Sequence, residues 1–341
     1  GLTAFRSCNG LIAQVYPVRG IVLRPDEGFV QHDPVPTKLP LGSAVLPSAV
    51  PQAVIRLDSF YRTNTTGGRA LDEDLTLMAI SEGDIAAVVP SRLYRLNPQT
   101  NTWSDAIAYT GAGAAATAER SGISTTASAT AKSMPDTMTV PFGITGTIAA
   151  PVWVWCNNRD RVYIYPNAAG VGGTYTDYPS GSLSPFIARS CCVWIGRAWF
   201  LNTSEAGSRF SQRLRRSAAL DGQIAPGVVG VGTLDFRDFD GEGMAVRPLG
   251  DHLAVYFADG VGLVLRPSEG QPPVSTRVIT RERGLLGTHA ITPIGPAEHF
   301  GIFTDGFFIL NAAGQFTEVG LFNVQNGEPQ HTFRDTFFAS L

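Results

Sequence analysis

Charge is scarce in this chain of 341 residues: only 16% are Asp, Glu, Lys or Arg, and the net charge is −3. A disordered chain would be more charged and less apolar, so that class is excluded. Basic residues do not run together. The densest stretch, Arg209 to Arg216 (RFSQRLRR), holds four arginines and reads as a basic turn or protein contact, not a DNA-reading surface. Cysteine is limited to Cys8, Cys156, Cys191 and Cys192, with no C-x-x-C. That excludes a disulfide framework and zinc-type spacing, and leaves buried free thiols made in a reducing compartment. No run approaches the roughly 18 apolar residues of a transmembrane helix, so no membrane-spanning segment is expected. The opening GLTAFRSCNG lacks the apolar stretch of a secretory leader.

Chemistry-bearing motifs are missing too. His32, His252, His289, His299 and His331 form neither H-E-x-x-H nor H-x-H, and His252 and His299 occupy related, structural-looking places. There is no G-x-S-x-G elbow, and the glycines of TGAGAAAT (110–117) precede no lysine that would make a phosphate loop. No cofactor and no metal ligand set is expected. The acidic stretch DFRDFDGEG places Asp235, Asp238, Asp240 and Glu242 close together. The alternation resembles a calcium loop, but the full order of ligands is not met, and a solvated turn is the plainer reading. Of these, Asp235, Asp238 and Glu242 are the acids a sugar-cleaving site would have to use.

What is abundant is apolar content (44%), glycine (37) and proline (23). Strands buried on both faces and joined by tight turns give this balance. The stretch LGDHLAVYFADGVGLVL (249–265) reads as a hairpin turning at Asp259-Gly260, a dipeptide that accepts positive φ. A second copy, IGPAEHFGIFTDGFFIL (294–310), turns at Asp305-Gly306, 46 residues later (259 to 305). In EGDIAAVVPSRLYRL (82–96), Gly83-Asp84 matches Gly250-Asp251. In WIGRAWFLN (194–202), Gly196 fits the same slot, and PVWVWCNNRDRVYIY (151–165) supplies another pair of apolar runs.

The anchors are therefore Gly83, a point near Gly146, Gly196, Gly250 and Gly295. A period of roughly 45 to 55 residues with about four short strands belongs to β-propeller blades. A sixth, divergent copy lies at Asn9–Gly28. The expected fold is all-β: a β-propeller of about six four-stranded blades. Residues 1–60 form an N-terminal arm with a divergent or closing blade, and residues 61–341 form the propeller. Irregular segments are the Pro-rich 25–52 and an insertion at about 111–140 built on the Ala/Ser/Thr-rich 112–134. A β-sandwich is the rival architecture, but it would show no such period. The aromatics fall inside strand runs, as core packing between blades requires.

These phrases resemble the nozzle (tail tubular) protein of short-tailed bacteriophages, and related propellers of phage tail hubs. VWIGRAWFLNTSEAGSRFSQRLRRSAALDG (193–222) is similar to that family's strand–N-T-x-E-x-G–R-V-R-W-S phrase. MAVRPLGDHLAVYFADGVGLVL, RERGLLGTHAITPIGPAEHFGIFTDGFFIL and HTFRDTFFASL resemble its following blades and link, and SRLYRLNPQTNTWSD its early blade. Two features depart: 112–134 has no counterpart in the family, and Arg216-Ser217 lacks the phrase's Trp. The resemblance implies a virion protein assembled in the host cytoplasm as a ring of six copies. The ring would sit below the portal and adaptor and bind tail fibres outside. Its channel would pass genomic DNA at ejection, and no enzyme activity is implied. The other readings are a host-receptor or glycan-binding propeller at the tail tip and a glycoside hydrolase propeller.

Overall fold

The computed structural model describes residues 4–6, 11–16, 20–25, 54–63, 73–81, 93–97, 102–103, 135–144, 151–165, 175–266, 275–319, 324–325 and 328–329. Gly83, Asp84, residues 26–52 and the stretch 112–134 lie outside them. The chain divides into two units, Gly1–Ala53 and Val54–Leu341, so the division falls at the start of a strand and before residue 60. Among the described residues the structure is all-β, with a single 3-10 turn at Gly181–Leu183.

The first unit holds a meander of β1 (Ala4–Arg6), β2 (Leu11–Tyr16) and β3 (Gly20–Pro25), paired antiparallel. The second unit opens with the sheet β4 (Val54–Thr63), β5 (Glu73–Ser81), β6 (Leu93–Asn97) and β7 (Thr102–Trp103). Next comes β8 (Asp136–Val140), β9 (Val152–Cys156), β10 (Tyr163–Tyr165) and β11 (Thr176–Asp177). The third sheet has five strands: β12 (Phe186–Ile187), β13 (Ser190–Trp194), β14 (Arg197–Glu205), β15 (Ser208–Arg216) and β16 (Gly232–Asp235). Both β12 and β13 pair with β14. Two four-stranded meanders follow. One is β17 (Gly243–Leu249), β18 (His252–Phe257), β19 (Val261–Leu265) and β20 (Ser275–Thr280). The other is β21 (Ile291–Gly295), β22 (Glu298–Phe303), β23 (Gly306–Asn311) and β24 (Phe316–Val319). Because Asp136–Val140 is strand β8, the expected insertion ends inside a sheet.

The five sheets of the second unit stack in series. Met78, Ile80 and Leu93 meet Trp153, Trp155 and Tyr163 between the first and second sheets. Val154, Ile164, Cys191 and Phe200 fill the next interface. Trp199, Leu201, Leu214, Val255 and Phe257 fill the third, and Tyr256, Leu263, Phe303 and Leu310 the fourth. Interior sheets therefore bury both faces, which is why β9 (VWVWC) is apolar at every position instead of alternating. The first strands run side by side, β8 against β13 and β13 against β17.

The Asp259-Gly260 hairpin forms as read: Leu253 pairs with Val264 and Tyr256 with Val261. Its turn is corrected in one respect, because neither Asp259 nor Gly260 has positive φ, and nor do Asp305 and Gly306. Gly260 is needed for close approach instead: a Cβ there would strike the Thr280 carbonyl and the Phe239 ring. Left-handed pairs occur at Ile195-Gly196 (φ 47° and 61°) and Ala206-Gly207 (φ 49° and 84°), the hairpin turns of β13–β14 and β14–β15. The repeated glycine is not one conformational position. Gly196 is second in its two-residue loop, Gly250 is first in the next, and Gly295 ends its strand by pairing with Glu298.

Candidate functional site: a charged mouth at the start of the inner strands

The starts of the first strands converge on a cluster of charged and amide side chains. Arg189, just before β13, reaches Glu242, just before β17: Nη1 to Oε1 is 2.5 Å. The Arg189 Nε–H donates to Thr288 Oγ1 (3.0 Å) on the segment leading to β21. Arg209 of β15 approaches the other oxygen of Glu242 at 3.7 Å and donates to Asn158 Oδ1 at 2.7 Å. Asn202 completes the brace, donating its Nδ2 hydrogens to Glu242 Oε2 (3.1 Å) and the Gly243 carbonyl (2.9 Å).

Local structure aims Asn202 at this mouth. It sits between Leu201 and Thr203, where extra residues in β15 shift the register of the two strands, with φ 58°. Asn tolerates the left-handed region better than most residues, and the bulge turns a buried side chain out of the strand's alternation. Its Oδ1 has no protein partner among the described residues. Burial works to raise the Glu242 carboxyl, but Arg189, with Asn202 and Arg209, holds it below the usual carboxylate range. Burial and the neighbouring Arg189 charge lower Arg209, opposed by Glu242. Two guanidinium groups thus share one carboxylate.

The neighbouring sheets are tied beneath the mouth by buried polar clamps. Arg247 of β17 grips Asp136 of β8 with two bonds of 2.8 Å (Nη1 to Oδ2, Nη2 to Oδ1). The Ser190 hydroxyl donates to Asp136 Oδ2 at 2.6 Å, the Cys191 N–H donates to the same oxygen at 3.0 Å, and the Val246 N–H donates to Ser190 Oγ at 3.1 Å. Burial alone would raise the Asp136 carboxyl, but Arg247, Ser190 and the more distant His289 hold it low. Burial opposes the Arg247 charge, and Asp136 more than offsets it. Three sheets meet at this one network.

Similar clamps join the outer interfaces. Thr137 and Trp153 donate to Asp58 Oδ2 (2.6 and 3.1 Å), linking β4 to β8 and β9. His299 lies between Tyr256 Oη (2.7 Å from Nδ1) and the Pro248 carbonyl (2.8 Å from Nε2). A carbonyl only accepts, so the Nε2 carries the proton and Nδ1 accepts from the tyrosine. Within the third sheet, Arg215 forms a bidentate pair with Glu205 (2.8 and 2.6 Å), and Thr203 Oγ1 also donates to Glu205. The N-T-x-E-x-G and R-x-R-R stretches are thus two strands of one hairpin holding each other by charge.

The acids singled out in the sequence do not converge on a reaction centre. Asp235 pairs with Arg213 (2.8 and 2.9 Å), Asp238 with Arg281 (2.7 Å), and Glu242 belongs to the mouth. The Asp240 and Gly241 N–H groups donate to Asp259 Oδ2, both at 2.8 Å, so the turn aspartate fixes the acidic stretch in place. Asp305 likewise holds Arg283 (2.9 and 3.1 Å), and Asp251 holds Arg266 (2.9 Å). No group of three or more His, Cys, Asp or Glu residues could hold a metal ion among the described residues. Cys156, Cys191 and Cys192 are buried; burial pushes the thiols of Cys156 and Cys192 well up, which keeps them unreactive. No described helix is long and apolar enough to cross a membrane. The residues that sequence reasoning missed are Asp136, Ser190, Arg189, Asn202 and Arg247. Only the asparagine in an apolar strand run was a visible irregularity.

No family model matches the chain, and no curated protein matches it. Among solved structures, it resembles an extracellular domain described as part of a one-component system from B. thetaiotaomicron. The TM-score is 0.47 at 12% identity, over 96% of this chain and 36% of that one. A prolyl endopeptidase matches with TM-score 0.37 and 11% identity, over 93% and 49%. A fungal alcohol oxidase matches with TM-score 0.35 and 10% identity, over 81% and 67%. The chain spans about a third of the length of the first of these structures.

Proposed function

We propose that the second unit is a β-propeller, and that the chain is a structural component of a short phage tail, assembling as a six-copy ring that frames the DNA-ejection channel. The serial stack of five sheets carries this reading. Each interior sheet is apolar on both faces, so none is stable alone, and the usual twist of stacked sheets would turn such a series around an axis lined by its first strands. The polar groups of these strands are used for bracing. Arginines neutralise Asp235, Asp238 and Glu242, which favours a mechanical role over sugar cleavage. The phrases around Val193–Gly222 supply the likeness to the nozzle family.

In this reading each subunit is rigid because its blades are clamped by Asp58, Asp136–Arg247 and His299, and the ring docks to an adaptor and to fibres through its loops. Light scattering and negative-stain imaging of the purified chain test it. A particle of six copies around a central channel is expected. A monodisperse single chain at micromolar concentration would overturn the ring.

A further inference from the structure

The proposed ring needs two unlike surfaces on each subunit, because a head-to-tail contact closes into a ring only if one patch fits a different patch on the next copy. Two such patches are present. The first lies where β13 turns into β14. Ile195, Leu220 and Val229 are 45%, 74% and 92% exposed. Ile195 and Leu220 hold left-handed φ values of 47° and 52°, unfavourable for bulky side chains, and the Leu220 N–H donates to the Gly196 carbonyl at 2.7 Å. Apolar side chains are thus held at the surface around the β13–β14 turn.

Beside them stand two guanidinium groups with no carboxylate between them. Arg197 donates to the carbonyls of Ser217 (2.7 Å) and Gly230 (2.8 Å). Arg216, half-buried, has neither a hydrogen-bond acceptor nor an ion pair among the described residues. Side chains are absent at Gly230 and Gly232, where a Cβ would come within 3.1 Å of Arg197 Nη1 and Arg216 Nε respectively. Burial lowers both arginines, and the charge of Arg197 adds to this at Arg216.

The second patch is on the last sheet. Thr292, Pro293 and Ile294 of β21 are exposed, and the register shifts between Pro293 and Gly295, which leaves Ile294 unpaired and 42% exposed. Glu298, exposed at the start of β22 and paired across the hairpin with Gly295, has no ion pair among the described residues. This patch offers an apolar side chain next to an unneutralised carboxylate, and the first offers apolar side chains next to unneutralised guanidinium groups.

We infer that these two patches are the two halves of one subunit–subunit interface, with Glu298 and Ile294 of one copy seated on Arg216, Arg197 and Leu220 of the next. The inference rests on the ring reading and names its contact. Charge reversal tests it in the full chain, by light scattering and sedimentation at low and high salt. Arg216→Glu and Glu298→Arg are each expected to weaken association about tenfold or more, and the equimolar mixture of the two single variants to associate again as an alternating ring, because every contact between unlike variants pairs one acidic with one basic side chain. The double variant Arg216→Glu/Glu298→Arg is expected to regain the ring. Leu220→Asp, which leaves both charges in place, should also dissociate it. Thermal melting and circular dichroism identify any variant that fails to fold, and Glu298→Arg, at an exposed position, keeps the test decisive if Arg216→Glu does so. A wild-type ring unchanged by Glu298→Arg and by Leu220→Asp would overturn this contact and leave the ring standing. A wild-type chain that never associates would overturn the ring itself.

Discussion

Replacing Arg247 by alanine is expected to destabilise the protein by about 3–5 kcal/mol, because it leaves the Asp136 carboxylate buried without its countercharge. Asp136 is 2% exposed and receives two guanidinium hydrogen bonds, a hydroxyl and a backbone N–H. The hydroxyl and the N–H that remain cannot replace a full positive charge. Urea titration measures the loss. The double variant Asp136→Asn/Arg247→Met should recover much of it, since a neutral amide beside an apolar side chain leaves no unpaired charge. The wild type carries a matching acid dependence. The Asp136 carboxyl is held below 3.8, so its contribution is complete above the unfolded value and is lost as pH falls through the folded one. Equal stability of wild type and Arg247→Ala would show that the network bears no part of the inter-sheet adhesion.

The second large effect is on the acid side of neutrality. Burial pushes His299 down to about 4 from 6.5, with Arg247 adding to the displacement and the Pro248 carbonyl opposing it. The unfolded chain takes up a proton near pH 6.5, whereas the folded protein refuses it until about pH 4. Between those values the unfolded state binds more protons, so stability falls as pH falls. The loss across the window is on the order of 3 kcal/mol, because each pH unit separating the folded from the unfolded titration is worth about 1.4 kcal/mol. His299→Gln retains a donor for Pro248 and an acceptor for Tyr256 but does not titrate. Its stability should be flatter between pH 6.5 and 4 than that of the wild type. An unchanged slope would show that His299 is not the group responsible.

Both effects concern residues whose partners are remote in sequence, and this is where legibility ended. Asp136 and Arg247 are separated by 111 positions, and His299 and Pro248 by 51. No local pattern announces such a meeting. The sheet hairpins were legible because their causes are local. Apolar runs flanking Asp259-Gly260 and Asp305-Gly306 produced the paired strands of two hairpins. The reason for Gly260 was not legible, since the Phe239 ring and Thr280 carbonyl that exclude a side chain come from other segments. Likewise Ile195, a β-branched residue, takes a left-handed φ that composition argues against.

The acidic stretch shows the same division. Its crowding of Asp235, Asp238, Asp240 and Glu242 was visible, and so was the ordinary reading as a turn. Its purpose was hidden because the arginines that neutralise three of the acids arrive from β15, from the segment before β13 and from the end of β20. Asn202 was invisible as a site because a bulge is set by two strands together: Asn202 lies opposite the extra residues that β15 inserts between Phe210 and Leu214.

A high-resolution density map of the purified chain tests the radial arrangement most directly. The expected map has β4, β8, β13, β17 and β21 gathered around one axis, with each following sheet rotated outward from its neighbour. A map in which the same five sheets lie flat upon one another as parallel layers, with no axis common to their first strands, would contradict it.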